Sequence, residues 1–383
     1  MADAQTHDFT LMTSEFDPFR GGIGTVSREL SFAATRLGVN VRLVAPDYLG
    51  TEWIKVDAAL PFPVERFKAG PYKGRQMPKL LRVALSKARQ AQGARLIALD
   101  FPFLEALAFT APVHRTPFDA ILHGSEVRRA AKFPRKLLAR RIFDTPERLI
   151  ANSQFTRSAL LDTHNVDQGK VTVAPLGVAQ DWFADAKGNK IRNKLNLGDK
   201  RIIVCTGRIN SRKGQVDLLR ALNQTPDPET LAVVIAGRAM PADAGYLAQI
   251  ETEATKCAPI TVIIRSDLED NDLHALYAEA DLFCLPGSAK TTAIEGFGLV
   301  FLEAAAQGLP AVAGDVGGVS EAVINNTSGL LVPPDNVDAL RAALTRCLGD
   351  TDLRQRLSKG AKEHAKASSW ERFAQLALGL NRE

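Results

Sequence analysis

Twelve short apolar runs, each followed by a segment of helical spacing, constrain the fold of this chain more than any other feature. In the first half they cover residues 9–13, 41–45, 96–99, 118–122, 149–151 and 171–174. In the second half they cover 202–205, 231–236, 260–264, 282–285, 311–313 and 330–332. Their Val, Ile, Leu and Phe residues run continuously rather than alternating with polar ones, as in strands covered on both faces of a parallel sheet. Between them, segments such as 26–35, 216–222, 273–280 and 337–348 carry apolar residues at helical spacing. Strand–helix alternation predicts doubly wound α/β sheets. The pattern restarts near residue 200, so two Rossmann-like domains are expected, 1–177 and 178–365. The apolar helical stretch within about 366–383 is expected to pack back on the first. The 383 residues and the 45% hydrophobic content give each half enough chain for its own core.

Charge is uneven. Residues 1–180 hold 25 Lys and Arg against 17 Asp and Glu, and the remainder holds 23 against 26. The basic excess lies in two stretches, Lys68 to Arg95 and Arg128 to Arg141. Each reads either as a solvated face or as a surface attracted to an anionic membrane. Nucleic acid is not expected, because no aromatic interleaving or binding motif accompanies the charge. No apolar run reaches the roughly 20 residues that span a bilayer, and a secretory signal is not expected, since residues 1–10 lack a basic flank followed by an apolar stretch. Cys205, Cys257, Cys284 and Cys347 are too widely spaced for a zinc site or disulfide framework, which points to the cytosol.

Four motifs carry chemistry. The turn Arg20-Gly21-Gly22-Ile23-Gly24 precedes a helix whose free amides suit a phosphate, or it is simply a tight strand–helix turn. The segment Gly207-Arg208-Ile209-Asn210-Ser211-Arg212-Lys213-Gly214 follows a buried strand, where a doubly wound sheet presents its ligand crevice. Arg208 can grip phosphate oxygens bidentately and Lys213 can add a point charge; basic residues at a helix start otherwise oppose its dipole. The segment 295–303 places Glu295 in a loop and Glu303 about one turn into an apolar helix, with the amides of Phe297, Gly298 and Leu299 between them. Such a pair can accept hydroxyl protons from two vicinal diols. Finally, His123 ends a first-domain strand, either as a structural imidazole or as a hydrogen-bonding group near a ligand. Asp270-Asn271-Asp272 and Asp350-Thr351-Asp352 look like metal-holding D-x-D motifs, but each precedes an amphipathic helix and reads as a cap. No metal is expected. The remaining histidines show no ligand spacing.

Taken together, these segments resemble the retaining glycosyltransferases of family four, which have the GT-B fold of two Rossmann-like domains facing a central cleft. Residues 276–323 are similar to the family's donor-binding region almost throughout. Residues 149–160 and 329–340 look like family segments, and 173–183 like its interdomain connection. The resemblance implies that Glu295 contacts the donor sugar and Glu303 the ribose hydroxyls. It implies backbone contacts to sugar and phosphates from Phe297, Gly298 and Leu299. It places Arg208 and Lys213 on the diphosphate, Gly22 near the phosphates and His123 against the donor sugar. Gly317, Gly318 and Glu321 match a familiar stretch read as packing, and residues 289–293 lengthen a loop without an assignable role.

The expected activity is metal-independent transfer of a hexose from a nucleotide sugar, with a UDP-sugar favoured over GDP-mannose. No cofactor is expected, since the nucleotide sugar is a co-substrate. The acceptor would be a glycan or lipid-linked glycan bound by the basic first domain. The location would be cytoplasmic, peripheral at the inner face of the plasma membrane. Competing readings are a GT-B-fold nucleotide-sugar epimerase, which needs acid–base groups not seen here, and a non-catalytic nucleotide-sugar-binding regulator. A phosphorylase of the usual kind is much longer and needs a lysine-bound pyridoxal phosphate.

Overall fold

The computed structural model describes residues 8–19, 21–91, 93–133, 136–186, 188, 190–290 and 295–380. Arg20 of the first glycine turn, Arg135 of the second basic stretch and residues 291–293 of the lengthened loop lie outside these. The chain divides into two compact units. One comprises Met1–Gly177 with Trp370–Glu383, the other Val178–Ser369.

The first unit is built on seven parallel strands. They are β1 (Asp8–Met12), β2 (Asn40–Pro46), β3 (Val64–Phe67), β4 (Arg95–Ala98), β5 (Phe118–Leu122), β6 (Arg148–Ala151) and β7 (Val171–Val173). They lie in the order β3-β2-β1-β4-β5-β6-β7, so the winding reverses between β1 and β4. Strands β5 (Phe-Asp-Ala-Ile-Leu) and β6 (Arg-Leu-Ile-Ala) are buried along their whole length, their charged residues Asp119 and Arg148 paired with each other at 2.8 Å. Strand β3 was not expected from the sequence. It reads Val-Glu-Arg-Phe and pairs only with β2, and a charged, short edge strand has no continuous apolar run to announce it.

The helix Trp370–Leu378 belongs to this first unit although 192 residues of the other unit precede it. Its apolar residues Trp370, Phe373, Ala374, Ala377 and Leu378 are buried. Arg148, on β6, holds its end: the guanidinium is 2.8 Å from Asp119 and donates to the Ala377 carbonyl at 2.6 Å. At the other end Arg36 pairs with Glu371 at 2.7 Å.

The second unit has six parallel strands: β8 (Arg201–Thr206), β9 (Leu231–Ala236), β10 (Thr261–Arg265), β11 (Leu282–Leu285), β12 (Ala311–Gly314) and β13 (Gly329–Val332). Their order is β10-β9-β8-β11-β12-β13, with the reversal between β8 and β11. All six coincide with apolar runs of the sequence. Both D-x-D segments cap helices. Asp350 accepts from the Leu353 amide at 2.8 Å, and Asp272 accepts from the Glu269 amide at 3.2 Å and pairs with Lys194 at 2.7 Å. Among the described residues, no group of three or more His, Cys, Asp or Glu is placed to hold a metal, and no helix is long and apolar enough to cross a membrane.

Candidate functional site

In a doubly wound sheet the crevice opens at the carboxyl ends of the strands where the winding reverses. In the second unit that is the end of β8 beside the end of β11. The chain leaves β8 through Gly207, makes a short turn at Ser211–Lys213 and enters the helix Gln215–Leu222. The chain leaving β11 bonds directly to this turn: the Gly287 amide donates to the Lys213 carbonyl at 3.2 Å, and the Ser288 amide to the Arg212 carbonyl at 2.9 Å. Two loops distant in sequence thereby become one platform.

On that platform Lys213 is almost fully buried, and its ammonium lies 2.6 Å from Glu295 Oε2. Burial by itself would raise the Glu295 carboxyl. The Lys213 ammonium, with help from Arg212, outweighs that and holds it below its ordinary value. The sequence assigned Lys213 and Glu295 to different parts of a ligand; the structure brings them into one ion pair. Arg208 differs sharply. It is exposed, and its guanidinium makes no ion pair among the described residues. Only its backbone is fixed, by the Gln215 side-chain amide donating to the Arg208 carbonyl at 3.1 Å. Asn210 Oδ1 and Gln215 Oε1 are buried there without a hydrogen-bond partner.

Glu295 leads into the helix Leu299–Ala306 through Gly298, whose φ of +98° is the left-handed conformation that favours glycine. No side chain caps this helix, and of its first amides that of Phe301 donates to the Gly298 carbonyl at 3.0 Å. Phe297 is buried beneath the turn and Leu299 half-buried at the helix start. Glu303 is half-buried one turn into the helix. Gly318 packs against this loop so closely that a β-carbon there would lie 2.1 Å from the Gly296 carbonyl oxygen, and its amide donates to the Glu295 carbonyl at 3.0 Å. That is the physical content of the packing assigned to this stretch.

Sequence reasoning missed a brace beneath the platform. Tyr277 is fully buried, and its hydroxyl is 2.5 Å from Thr206 Oγ1 at the end of β8. Burial pushes that hydroxyl well above its usual value, and the Glu303 charge adds to the shift. The Trp182 ring lies 5.4 Å from Tyr277, and the Gln307 side chain donates to the Trp182 and Ala184 carbonyls. A lone Tyr in an amphipathic segment gives no warning of this in the sequence.

The first unit presents its own reversal at the ends of β1 and β4. Asp100 is completely buried there. It caps the helix Phe101–His114 through the Phe103 amide at 3.0 Å and accepts from the Ser14 amide and from Thr13 Oγ1. Burial raises its carboxyl above the ordinary value, against the pull of those donors. The glycine turn behaves differently from expectation. None of Gly21, Gly22 and Gly24 has a positive φ. Gly21 is required instead by proximity: a β-carbon there would fall 1.8 Å from Glu15 Oε1. That carboxylate accepts from the Gly24 amide at 3.3 Å, so an acidic side chain already sits at the helix N-terminus proposed for a phosphate. Gly22 is exposed, with open space where a β-carbon would be. Glu15→Gln should weaken this unit by about 0.5–1 kcal/mol in urea unfolding, since the helix dipole loses its counter-charge.

His123 follows β5. Its Nε2 donates to the Leu99 carbonyl at 2.8 Å, so that nitrogen carries a proton. Its amide, with that of Gly124, donates to the buried Glu126 carboxylate.

Known proteins resemble this chain in sequence and in fold. Residues 187–364 match the model of glycosyl transferases group 1, and residues 20–182 match that of glycosyltransferase family 4. The GDP-mannose-dependent alpha-(1-6)-phosphatidylinositol monomannoside mannosyltransferase of Mycolicibacterium smegmatis is 29% identical over 96% of this chain and 98% of its own. The D-inositol 3-phosphate glycosyltransferase of Salinispora arenicola is 35% identical over 59% of this chain and 52% of its own. Among solved structures, Anabaena Alr3699/HepE in complex with UDP has the same fold, with a TM-score of 0.79 at 20% identity over 98% of this chain and 99% of that one. These matches, on two Rossmann-like halves with a paired lysine and glutamate at the second sheet's reversal, place the chain among the family 4, group 1 glycosyltransferases of GT-B fold: it is an enzyme that transfers sugars from nucleotide sugars.

Proposed function

We propose that this enzyme transfers a hexose, with retention of anomeric configuration, from a nucleoside diphosphate sugar to a lipid-carried glycosyl acceptor. The observation that carries the reading is the buried Lys213–Glu295 pair at the reversal of the second sheet, with the guanidinium of Arg208, on the same turn as Lys213, exposed and making no ion pair among the described residues. A departing diphosphate needs cationic charge where it develops, and Arg208, Lys213 and the uncapped amides of the helix Leu299–Ala306 supply it. As the bond from the anomeric carbon to the phosphate oxygen breaks, its electron pair stays on the phosphate. The acceptor hydroxyl bonds to the same face of that carbon and gives its proton to the leaving phosphate. Glu295 orients sugar hydroxyls, Glu303 holds the ribose, and Phe297, Gly298 and Leu299 line the donor.

For the donor, full-length relatives named as GDP-mannose-dependent favour GDP-mannose over the UDP-sugar that the sequence put first. In titration calorimetry GDP should bind at least about tenfold tighter than UDP, a difference of about 1.4 kcal/mol; the reverse order would restore the UDP-sugar. Proton NMR of the fresh product should show the donor's own anomeric configuration, and an inverted product would overturn the retaining mechanism. Because side-chain cations do the neutralising, turnover should persist in excess chelator. Complete loss, restored only by magnesium or manganese, would refute that role for Arg208 and Lys213.

A further inference from the structure

The second basic stretch of the first unit folds in a way its sequence did not announce. Phe133, Leu137 and Leu138 are 81%, 73% and 47% exposed, three large apolar side chains within six residues. The helix Lys136–Asp144 buries Ala139, Ile142 and Phe143 against the core, so Leu137 projects from the opposite, solvent face. In the same stretch of chain Arg128, Lys132 and Lys136 are exposed and make no ion pair among the described residues. No acidic residue occurs between Glu126 and Asp144, and Glu126 is buried, its carboxylate taken by backbone amides.

An exposed apolar cluster in a stretch of uncompensated cations has one occupant that satisfies both. Water alone leaves the apolar area unburied. A second copy meeting this face across a two-fold axis would bring cations against cations. A bilayer surface with anionic headgroups accepts both, the apolar side chains entering the headgroup–acyl boundary and the cations remaining at the phosphates. We infer that this face docks the enzyme on an anionic lipid bilayer, with Phe133, Leu137 and Leu138 as the inserted wedge. The inference deepens the proposal of a lipid-carried acceptor and rests on it for its biological purpose.

The test uses the full chain and vesicles of phosphatidylcholine, alone or mixed with phosphatidylglycerol. Co-sedimentation should be strong with the mixed vesicles, weak with the neutral ones, and weakened by salt. Phe133→Ser/Leu137→Ser/Leu138→Ser should reduce the vesicle partition coefficient at least about a hundredfold. Arg128→Gln/Lys132→Gln/Lys136→Gln should reduce it about fivefold for each charge removed. Donor hydrolysis in vesicle-free buffer should match wild type in both variants, which separates failed docking from failed glycosyl transfer. Should the apolar triple variant misfold, Phe133→Trp supplies an independent reading: its emission should shift to the blue on adding anionic vesicles and stay put with neutral ones. Equal binding to both vesicle types, or unchanged binding by the folded triple variant, would overturn the proposal. So would a wild-type dimer in ultracentrifugation that the triple variant dissolves.

Discussion

Lys213→Ala is expected to lower kcat/KM by about a thousandfold, roughly 4 kcal/mol of transition-state stabilisation, and also to destabilise the second unit by about 3 kcal/mol. The two losses have different origins. The first is a missing cation at the developing diphosphate. The second is the Glu295 carboxylate left in a largely buried site without the ammonium 2.6 Å away. The double variant Lys213→Met/Glu295→Gln separates them. With no charge left to strand, most of the stability should return while activity stays low. Thermal unfolding and steady-state kinetics on the three proteins suffice. A Lys213→Ala enzyme with unaltered stability would mean that the pair does not hold in solution.

The same pair sets a pH dependence. The Glu295 carboxyl titrates below its ordinary value of 4.5 in the folded chain, so the unfolded chain takes up its proton first as pH falls. The pair's contribution is therefore complete above the ordinary value and disappears as pH drops through the lowered one. The stability gap between wild type and Glu295→Gln should be largest near neutrality and close in strong acid.

Arg208→Ala should behave in the opposite way. Its guanidinium is exposed and holds nothing else in place among the described residues, so unfolding should change by no more than about 0.5 kcal/mol. Yet kcat/KM should fall by about 30- to 1000-fold, roughly 2–4 kcal/mol, because a bidentate grip on phosphate oxygens is lost. Arg208→Lys should recover only part, since an ammonium offers a point charge without the planar fork. Near-wild-type turnover in the alanine variant would remove Arg208 from the mechanism.

What could be read from the sequence follows from what buries what. Strands covered on both faces, such as β9 and β11, appear as unbroken apolar runs. Strand β3 at the sheet edge, carrying Glu65 and Arg66, does not. Arg208, Lys213 and Glu295 stand out in the sequence as charges at glycine turns, and Glu303 as a charge within an apolar helix. Their pairing was not, since Lys213 and Glu295 lie 82 residues apart and meet only through the β8–β11 adjacency. The Glu15 carboxylate at Gly24 and the Tyr277 hydroxyl at Thr206 are equally silent in one dimension. Phe133, Leu137 and Leu138 resemble ordinary core residues until the helix Lys136–Asp144 shows which of its faces is covered.

The helix Trp370–Leu378 imposes an order on biogenesis. The Val178–Ser369 unit is one continuous stretch, able to fold as soon as it leaves the ribosome. The unit translated earlier lacks its last piece until residues 370–378 are made, and through that interval Arg148 has no Ala377 carbonyl to bond and the surface meant for Trp370 and Phe373 stays wet. The part synthesised first is thus the part finished last, and a nascent chain stalled near residue 369 would be a substrate for chaperones at its amino-terminal end.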